Sequence, residues 1–356
     1  MKTLTVDLPG RAYDIQMERG ILSRAGALCR AVLPGASRLA VVTDSTVGPL
    51  YGARVLGSLR AAGFTAELIT VPAGEQSKSV TMLETLYDAF ADFGLTRTDA
   101  VAALGGGVVG DLAGFAAATF LRGVSFVQIP TTLLAQVDSS VGGKVAVDLK
   151  AGKNLAGAFL QPKLVLMDPA VLGTLDERAF ADGMAEVIKY GCIADADFFS
   201  FLEQHPSPAE LAPEIEYALY TCCTIKRDVV VKDEFDTGLR MLLNFGHTMG
   251  HAYEKAGCYR RWTHGQGVSA GMVRACELGV SLGITPPELP DRIAVLLANF
   301  GLPIAIPCTA EDYRAAIGLD KKGSGEDISL ILLQALGQAI PLKLPKKKLL
   351  ELLAQD

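Results

Sequence analysis

The sequence predicts an α/β N-terminal half built on a parallel, Rossmann-like nucleotide-binding sheet, followed by a mostly α-helical C-terminal half. Three observations support this fold class. Strand-like and helix-like patterns alternate through about the first 130 residues, a run of glycines follows one of the strands, and long helical patterns dominate after Asp176. Strands that alternate with helices are typical of βαβ units, which pair their strands in parallel.

The elements of the first half follow one another in a regular order. Short apolar runs that end in polar or glycine residues predict strands in RLAVVTD (38–44), FTAELITV (64–71), DAVAALGGG (99–107) and VSFVQIP (124–130). Apolar residues at helical spacing predict helices in LYGARVLGSLRAAG (50–63) and SVTMLETLYDAFADFG (79–94).

The pattern changes near residues 170–178, where we place the boundary between a domain of residues 1–175 and a domain of residues 176–356. Helical patterns then occupy ERAFADGMAEVIKYGC, PEIEYALYTCCTIKRDVV, GVSAGMVRACELGVSLG and PDRIAVLLANFG. ISLILLQALG (328–337) predicts a strand or hairpin, and the basic KLPKKKLLELL tail predicts the start of a solvated helix.

Composition limits the class of protein. The net charge of −6 and the pI near 5.4 argue against a general nucleic-acid or anionic-membrane surface. The seven cysteines form no CxxC pair, so we expect a reduced, cytoplasmic chain. The first residues contain no long apolar run, so we expect neither a secretory signal nor a membrane span.

The glycines after the third strand indicate a nucleotide site. Gly105, Gly106 and Gly107 end the strand, and Gly110 with Asp111 opens a helix. Glycine lets a backbone approach a pyrophosphate closely, and a helix N-terminus supplies N–H donors. The spacing is not GxGxxG, so an ordinary tight turn is the alternative interpretation.

Two other strand ends favour the nucleotide interpretation. Asp44 ends the first of the strands, where a carboxylate can accept a hydrogen bond from a ribose hydroxyl. GEQSKS (74–79) follows the next strand and offers Glu75 and Lys78.

Three of the four histidines fall in one short region. His247 and His251 are four residues apart, so on a helix they share one face, and His264 follows closely. The spacing is that of HExxH, but the glutamate is absent, which excludes that metalloprotease motif. A metal, a general base and core packing all remain open at this point. Glu186 is a candidate carboxylate ligand, although an exposed ion pair with Lys189 is the simpler interpretation.

Cations gather in poorly periodic, glycine-rich sequence. They are Arg122, Lys144, Lys150 and Lys153, with Arg240 four residues before Asn244 on a shared face if that segment is helical. Such a set predicts an anionic substrate with phosphate or carboxylate groups. A solvated surface lysine is a reasonable alternative for Lys150.

The segments GGGVVGD, FLRG, PTTLLAQVDSSVGGK, GKNLAGAF, GMAEVIKYG and LNFGHTMGHA closely resemble the 3-dehydroquinate synthase family. The match runs in order from Asp44 to His264, and DKKGSG (320–325) is a weaker final block. The resemblance implies the dehydroquinate synthase fold, with an NAD-binding first domain and a metal- and substrate-binding second domain. It also implies NAD, one Zn²⁺ or Co²⁺ ion, a small anionic sugar-phosphate substrate and a homodimer.

The reaction implied by the resemblance is a step of the shikimate pathway of aromatic amino-acid biosynthesis. A phosphorus–oxygen lyase converts 3-deoxy-D-arabino-heptulosonate 7-phosphate to 3-dehydroquinate and phosphate. NAD oxidises C5 transiently, phosphate is eliminated, the hydride returns, and an intramolecular aldol step closes the carbocycle.

The family's site residues carry over to positions of this chain. The implied metal ligands are Glu186, His247 and His264. The implied catalytic and substrate contacts are Arg122, Asp138, Lys144, Asn154, Lys189, Lys226, Arg240, Asn244, His251 and either Lys321 or Lys322. The implied NAD contacts are Asp44, Gly74, Glu75, Lys78, Gly106, Gly107, Val108, Gly110, Asp111, Thr131, Thr132, Lys144, Lys153 and Thr174. The chain departs from the family at Gln266, where glutamate is more usual, so we expect altered surroundings for His264 but no loss of the ligand.

Three other functions compete with this one. An iron-type, metal-dependent polyol dehydrogenase would share the architecture but would form NADH in net turnover. A related sugar-phosphate cyclase would yield an inosose or a valiolone. A nucleotide-binding module with a structural zinc would unfold when the metal is removed.

Overall fold

The computed structural model describes residues 1–258, 260–318 and 326–354. Its strands are β1 Lys2–Val6, β2 Tyr13–Met17, β3 Arg38–Asp44, β4 Thr65–Val71, β5 Ala100–Gly105, β6 Ser125–Pro130, β7 Lys144–Leu149, β8 Gly152–Phe159, β9 Leu164–Met167, β10 Asp327–Ala335 and β11 Gln338–Pro345. Its α-helices are α1 Ala25–Val32, α2 Ala53–Ala61, α3 Val80–Asp92, α4 Gly107–Thr119, α5 Glu177–Ala194, α6 Ala196–Gln204, α7 Pro208–Leu211, α8 Ile215–Lys232, α9 His247–Ala256, α10 His264–Ser281, α11 Leu289–Asn299, α12 Ala310–Gly318 and α13 Lys346–Leu353.

Within the described residues, seven strands form one sheet in the order β1-β2-β9-β6-β5-β3-β4. β1 and β2 pair antiparallel, whereas the other neighbours are parallel. The chain places β4 on one side of β3 and β5 on the other, so the direction of winding reverses between β3 and β5. In open α/β sheets, ligands bind beyond the carboxyl ends of the strands at such a switch point.

The central strands are apolar on both faces because helices cover both sides of the sheet. Leu39 and Val41 of β3 belong to the apolar cluster that includes α1 and α2. Ala40 and Val42 belong to the cluster that includes α3 and α4. A parallel strand covered on both faces carries a near-continuous apolar run, which explains the composition of RLAVVTD.

The strands predicted from the sequence are β3, β4, β5 and β6, and the two predicted helices of the first half contain α2 and α3. The sequence analysis did not predict β1, β2 and β9, which extend the sheet on one side. It also described the segment after β6 as poorly periodic, whereas part of this segment forms the antiparallel β7–β8 hairpin.

The β7–β8 hairpin packs against α4 through residues that point to the same side. Val145 and Val147 of β7 are buried in the cluster that includes α4. Gly114 of α4 makes room for this contact, since a Cβ there would lie 2.3 Å from Cγ1 of Val145. The hairpin is therefore attached to the helix that begins at the glycine run.

The chain forms two compact units. The first contains Met1–Leu175 together with Lys226–Val231, and the second contains Asp176–Ile225 with Lys232–Asp356. The units are not two consecutive segments, because part of α8 clusters with the first one.

The second unit is mostly helical, and in the part of it that the structure describes the strands are those of the β10–β11 hairpin. The helical patterns of the sequence correspond to α5, α8, α10 and α11, and the basic tail forms α13. Among the described residues, every helix is too short or too polar to cross a membrane.

Candidate active site

Two histidines and a glutamate converge in the second unit. Nε2 of His247 lies 3.5 Å from Oε1 of Glu186, and Nε2 of His264 lies 3.4 Å from the same oxygen. One ligand atom from each of the three residues lies within 4.8 Å of the others. Glu186 is fully buried, and the two histidines are partly buried. Two imidazoles and one carboxylate form the donor set of many catalytic zinc sites.

The opposite side of each imidazole is anchored. Nδ1 of His247 lies 3.1 Å from the carbonyl oxygen of Phe245. Nδ1 of His264 lies 3.0 Å from Oε1 of Glu254, a buried carboxylate. In each ring an N–H at Nδ1 can donate to the oxygen beside it. Nε2 then carries the lone pair and faces Glu186. The ring orientation and tautomer therefore suit metal coordination.

Glycines bring the two histidine-bearing helices together. A Cβ on Gly271 of α10 would lie 2.0 Å from the carbonyl oxygen of Gly246, just before α9. A Cβ on Gly250 of α9 would lie 3.1 Å from the backbone of Gly267. Because these positions lack side chains, the backbones approach closely, and the rings of His247 and His264 lie 5.2 Å apart.

Helix α5 presents two carboxylates one turn apart. Glu186 faces the histidines, and Asp182, four residues earlier, accepts a 2.6 Å hydrogen bond from the backbone N–H of Gly265. Only glycine fits at position 265, since a Cβ there would lie 2.2 Å from the carbonyl oxygen of Asp182. Asp182 thus holds the start of α10, where His264 is the first residue.

The sequence analysis missed Asp182 and Glu254. The i,i+4 spacing of Asp182 and Glu186 was visible in ADGMAE, and Glu254 lies on the same helix as His247. Neither spacing shows which partner a carboxylate will meet, because that depends on how α5, α9 and α10 cross.

The pKa values of the two ligand histidines shift in opposite directions. Burial, with the charge of Lys189 as the next contribution, lowers the pKa of His247 to about 3, so this imidazole is neutral near pH 7. Burial also lowers the pKa of His264, but hydrogen bonds to Glu186 and Glu254 outweigh it and raise that pKa well above its usual value. A divalent ion would replace the proton between Nε2 of His264 and Glu186, while the proton on Nδ1 would stay with Glu254.

Lys189 and Glu186 form an ion pair that is buried rather than exposed. The relative exposure of the two side chains is 2% and 0%, so the interpretation of an ordinary solvated i,i+3 pair is wrong. Burying an ion pair costs desolvation energy for both partners. Stabilisation of the fold is therefore a poor explanation for the Lys189–Glu186 pair.

Arg240 and Asn244 do not share a helical face with His247. The segment Leu239–Asn244 is a 3₁₀ turn, and Gly246, with φ of 80°, separates it from α9. Arg240 is buried and Asn244 is exposed. Arg240 and Asn244 were predicted to share a face only if their segment were an α-helix. In a 3₁₀ turn, with three residues per turn, side chains four residues apart do not share a face.

Asp233 organises the loop that carries Arg240. Its carboxylate accepts hydrogen bonds of 2.9, 2.8 and 2.9 Å from the backbone N–H groups of Thr237, Gly238 and Arg240. Burial raises the pKa of Asp233, but these hydrogen bonds outweigh it and hold the pKa at about 2. The Arg240 guanidinium donates a 2.7 Å hydrogen bond to the carbonyl of Glu234. The sequence analysis did not identify Asp233.

His251 lies on α9 one turn beyond His247, with the two ring centroids 5.6 Å apart. This confirms the predicted helical spacing of the pair. His251 is exposed and also lies near Glu254 and His264, with ligand atoms of all three within 4.8 Å of one another. Glu254 already anchors Nδ1 of His264, so the group that contains Glu186 is the one in which Nε2 of His264 faces the other two donor residues.

The first unit places a glycine-lined helix start at the switch point of the sheet. Helix α4 begins directly after β5, and no side chain caps its N-terminus at Gly106. A Cβ on Gly106 would lie 3.0 Å from Thr132, and one on Gly107 would lie 3.0 Å from Ser139. A helix start that combines uncapped N–H groups with bare glycines suits a pyrophosphate.

Most of the other residues predicted to contact NAD follow the carboxyl ends of the strands and therefore lie along the same edge of the sheet as the start of α4. They are Asp44 at the end of β3, Gly74 and Glu75 after β4, Val108, Gly110 and Asp111 in the first turns of α4, Thr131 and Thr132 after β6, and Thr174 after β9. Oδ1 of Asp44 accepts 2.8 Å hydrogen bonds from the N–H groups of Thr46 and Val47, and Thr174 Oγ1 lies 2.6 Å from Tyr51 Oη.

Lys78 lies between α4 and the β7–β8 hairpin. Its ammonium lies 2.5 Å from Oδ2 of Asp111, and it also donates to Oδ1 of Asn154. Nearby, Lys153 lies 3.4 Å from Glu75. The first unit thus brings together one residue predicted to contact substrate and four predicted to contact NAD.

Two further predicted substrate contacts meet in the first unit. Lys226 of α8 donates to the carbonyl oxygen of Asp138 and, at 2.8 Å, to Oδ1 of the same residue. Lys226 is 4% exposed, so its charge is largely removed from water and depends on this partner. Lys144 begins β7 and is exposed.

Arg122 lies apart from the other predicted residues of the first unit. It follows the last turn of α4, whereas the glycines precede the first turn, roughly 20 Å away along a helix of 13 residues. Asp138 follows the carboxyl end of β6, and Arg122 precedes its amino end. Lys321 and Lys322 lie outside the described residues.

Comparison with known families accounts for most of the chain. A family model described as 3-dehydroquinate synthase N-terminal matches residues 68–182. A second model, described as 3-dehydroquinate synthase C-terminal, matches residues 183–323. The two matches join close to the end of the first compact unit.

A 3-dehydroquinate synthase of Clostridium botulinum (strain Alaska E43 / Type E3) is 47% identical over 340 residues, which are 95% of this chain and 97% of that protein. Two solved structures share the fold and confirm the predicted fold class. A 2-deoxy-scyllo-inosose synthase complexed with carbaglucose-6-phosphate, NAD⁺ and Co²⁺ has a TM-score of 0.89 at 24% identity, covering 99% of this chain and 100% of that chain. A 2-epi-5-epi-valiolone synthase from Streptomyces hygroscopicus subsp. jinggangensis 5008, with NAD⁺ and Zn²⁺ bound, has a TM-score of 0.85 at 28% identity, covering 97% of each chain.

Proposed function

The chain belongs to the 3-dehydroquinate synthase family, and from this premise we propose that it converts 3-deoxy-D-arabino-heptulosonate 7-phosphate to 3-dehydroquinate and phosphate. The observation that carries the proposal is the convergence of Glu186, His247 and His264. This reaction needs a Lewis acid at the hydroxyl that is oxidised, and the three side chains form a donor set of the required kind.

The metal centre would hold one divalent ion, Zn²⁺ or Co²⁺, through Glu186 and the two Nε2 atoms. When bound, such an ion polarises the C5 oxygen of the substrate as a Lewis acid. The carbonyl of Phe245 and the carboxylate of Glu254 keep the Nδ1 protons away from the ion, so both Nε2 lone pairs remain available. Lys189 offsets part of the negative charge of Glu186.

The cofactor would be NAD, held along the carboxyl edge of the sheet. When bound, NAD accepts a hydride from C5 and returns it, so it is not consumed. The uncapped N-terminus of α4 binds the pyrophosphate through backbone N–H groups, and the carboxylate of Asp44 accepts from a ribose hydroxyl. Bare Gly106 and Gly107 allow the close approach that this requires.

The substrate would be held by charged and polar side chains. We propose these contacts: Asp138, Lys144, Asn154, Lys189, Lys226, Arg240, Asn244 and His251. The cations bind the phosphate and carboxylate groups, which fixes the sugar in one orientation through successive steps. Asp233 fixes the backbone of Arg240, so that its guanidinium starts from a defined position.

We propose that the protein acts as a homodimer and that Arg122 serves the site of the partner. Arg122 lies at the end of α4 opposite the glycines, so its own chain does not bring it to the predicted cofactor edge. A contact between Arg122 and substrate then requires a second copy of the chain. We also propose a cytoplasmic location, because all seven cysteines are free thiols, which persist in reducing compartments.

The test is to incubate the protein with the heptulosonate phosphate, NAD and Zn²⁺ and to identify the product by mass spectrometry and NMR. We expect 3-dehydroquinate with one equivalent of phosphate and no matching rise in NADH absorbance. Release of phosphate from a sugar phosphate without a carboxylate, together with no turnover of the heptulosonate phosphate, would assign the chain to a related cyclase that yields a valiolone or an inosose. NADH formed in proportion to product would assign it to a polyol dehydrogenase.

A further inference from the structure

Lys78 is a buried lysine whose partners lie on two different elements. It follows β4 in the Glu75–Lys78 turn, and its relative exposure is 5%. One partner, Asp111, lies in the second turn of α4, and the other, Asn154, lies in β8. A single ammonium therefore connects the strand-end turn, the glycine-started helix and the hairpin.

The backbone repeats the same connection. The N–H of Asp148 in β7 donates a 2.8 Å hydrogen bond to the carbonyl of Lys78, and Ser79 pairs with Asp148 as an isolated parallel bridge. Oδ1 of Asp148 in turn accepts a 2.8 Å hydrogen bond from the N–H of Asn154. The far end of the hairpin is thus fixed to the turn that carries Lys78.

The two ends of the hairpin are held by different forces. Near its start, Val145 and Val147 are buried against α4 in an apolar cluster. At the far end, Leu149 and Leu155 are exposed, and the attachment consists of polar contacts. The Lys153–Glu75 pair is about a third exposed and 3.4 Å long, so it contributes little in water. The side chain of Lys78 is only 6% exposed, so its contacts are better shielded from water and matter more.

The conformation of Asn154 depends on this attachment. Its φ of 55° lies in the left-handed region, which asparagine tolerates better than most residues but which still costs energy. Burial lowers the pKa of Lys78, but the charge of Asp111 outweighs it and raises that pKa, so the lysine stays charged. Removal of the ammonium would leave Asp111 without its ion-pair partner at 2.5 Å and Asn154 without this donor.

We propose that Lys78 is a positioning residue that locks the β7–β8 hairpin, and with it the Asn154 amide, against helix α4. An ammonium has three donors, so the pairings with Asp111 and Asn154 do not prevent Lys78 from also touching the cofactor. The mechanical part of the proposal stands on the contacts alone. Its consequence for turnover rests on the proposed function, in which Asn154 contacts substrate and the Glu75–Lys78 turn contacts NAD.

Limited digestion with trypsin tests the lock without any assay of activity. Lys150 lies at the tip of the hairpin, so cleavage after Lys150 reports how often the tip detaches. We expect cleavage about tenfold faster in Lys78→Met than in the parent. Lys163→Met, which removes an exposed lysine of the same unit, should cleave like the parent at this bond.

A second variant separates detachment from general unfolding. Asn154→Gly keeps the positive φ at no steric cost and removes only the amide, so the core is untouched. It should also accelerate cleavage after Lys150, and Lys78→Met combined with Asn154→Gly should add less than the product of the two single effects. Cleavage in Lys78→Met and Asn154→Gly at the parental rate would overturn the proposal.

Steady-state kinetics test the consequence for turnover. At saturating NAD, a residue that only binds the cofactor has no further effect, whereas a positioning residue still lowers kcat/KM for the heptulosonate phosphate. We expect at least a tenfold loss in Lys78→Met under these conditions, with none in Lys163→Met. If Lys78→Met is cleaved rapidly at the hairpin but has a normal kcat/KM at saturating NAD, Lys78 holds the hairpin in place but has no role in turnover. A wild-type protein that forms no dehydroquinate would reject the proposed function and leave the digestion result intact.

Discussion

Glu254 stands behind His264, with its Oε1 3.0 Å from the ring Nδ1, while Nε2 of the same ring faces Glu186 at 3.4 Å. The ring is therefore held between two carboxylates. His247 has a backbone carbonyl in the corresponding place. A carboxylate acceptor raises the basicity of a ligand imidazole more than a neutral carbonyl does, so His264 should be the stronger donor of the two.

We predict that removal of the Glu254 carboxylate weakens metal binding. Glu254→Leu should raise the dissociation constant for Co²⁺ by about 10–100-fold, because His264 loses its orientation and basicity. Glu254→Gln, which retains an acceptor oxygen, should show a smaller increase. Competition with a chelator measures both, and Glu277→Gln on the exposed face of α10, the helix that begins with His264, is the control. Parental affinity in Glu254→Leu would show that the contact does not support the ligand.

We predict that His247→Ala abolishes activity and removes the stoichiometric ion. Two of the three donor atoms would remain, which is too few for tight binding of a catalytic divalent ion. Metal content after gel filtration and product formation are the measurements. The control is His205→Ala, since the His205 ring lies beside Phe201 and belongs to neither of the candidate metal groups. A tightly bound ion in His247→Ala would count decisively against the assignment.

We predict that the departure from the family at Gln266 is nearly silent. Gln266 Oε1 accepts a 3.1 Å hydrogen bond from the N–H of Thr263, and Thr263 Oγ1 accepts one from the N–H of Gln266. Glutamine and glutamate serve equally in this capping box at the start of α10. Gln266→Glu should keep the metal affinity, and Gln266→Ala should lower the unfolding free energy by about 1 kcal/mol. A large change of Co²⁺ affinity in Gln266→Glu would instead mean that this side chain acts on His264 directly.

The strands of the sheet were predictable because burial on both faces leaves an apolar run in the sequence. RLAVVTD and DAVAALGGG match β3 and β5 almost residue for residue. The β7–β8 hairpin was not predictable, because GKNLAGAF alternates small residues against α4 with exposed ones and carries no strong apolar signal. The hairpin packs against α4 at Gly114, where the missing side chain leaves room for Val145. The sequence does not show which strand will pack against a glycine in a helix.

Features of the site that depend on spacing within one helix were predictable from the sequence. Features that depend on how two helices pack against each other were not. Spacing alone put His247 and His251 on one face, and the structure agrees. Resemblance was needed to choose Glu186 and His264 as partners of His247. The roles of Asp182 and Glu254 follow from contacts between helices, and the start of α9 after a left-handed Gly246 separates Arg240 from the face of His247.

We predict that Asp99 stabilises the first unit in a pH-dependent way. Its buried carboxylate accepts hydrogen bonds from the N–H groups of Ser37, Arg38 and Thr96, which ties the start of β3 to the start of β5. Burial raises the pKa of Asp99, but these bonds outweigh it and lower the pKa from 3.8 to about 2. The folded pKa is depressed, so the stabilisation is complete above pH 3.8 and is lost as the pH falls towards 2.

The Asp99→Asn variant measures this contribution. At pH 7 its unfolding free energy should be roughly 2 kcal/mol lower than that of the parent, and the difference should shrink to about half at pH 3. Urea unfolding at several pH values checks both statements. Asp92→Asn, at an exposed position of the same unit, should show no such dependence. A difference between Asp99→Asn and the parent that stays constant from pH 7 to pH 3 would contradict the assignment.

We predict that Arg122 acts across a dimer, which a mixed dimer can reveal. Arg122→Ala and His247→Ala should each be inactive as homodimers. If each site takes His247 from one chain and Arg122 from the other, a dimer of one Arg122→Ala chain and one His247→Ala chain contains one intact site. Co-expression with two different tags yields that dimer in pure form, and it should recover about half of the parental activity. A mixed dimer of Glu186→Ala and His247→Ala is the matched control, because each chain supplies all three residues of its own metal group, so each site lacks one of them and no intact site can form. Recovery no greater than this control would place Arg122 in the site of its own chain, and an active Arg122→Ala homodimer would place it outside the site altogether.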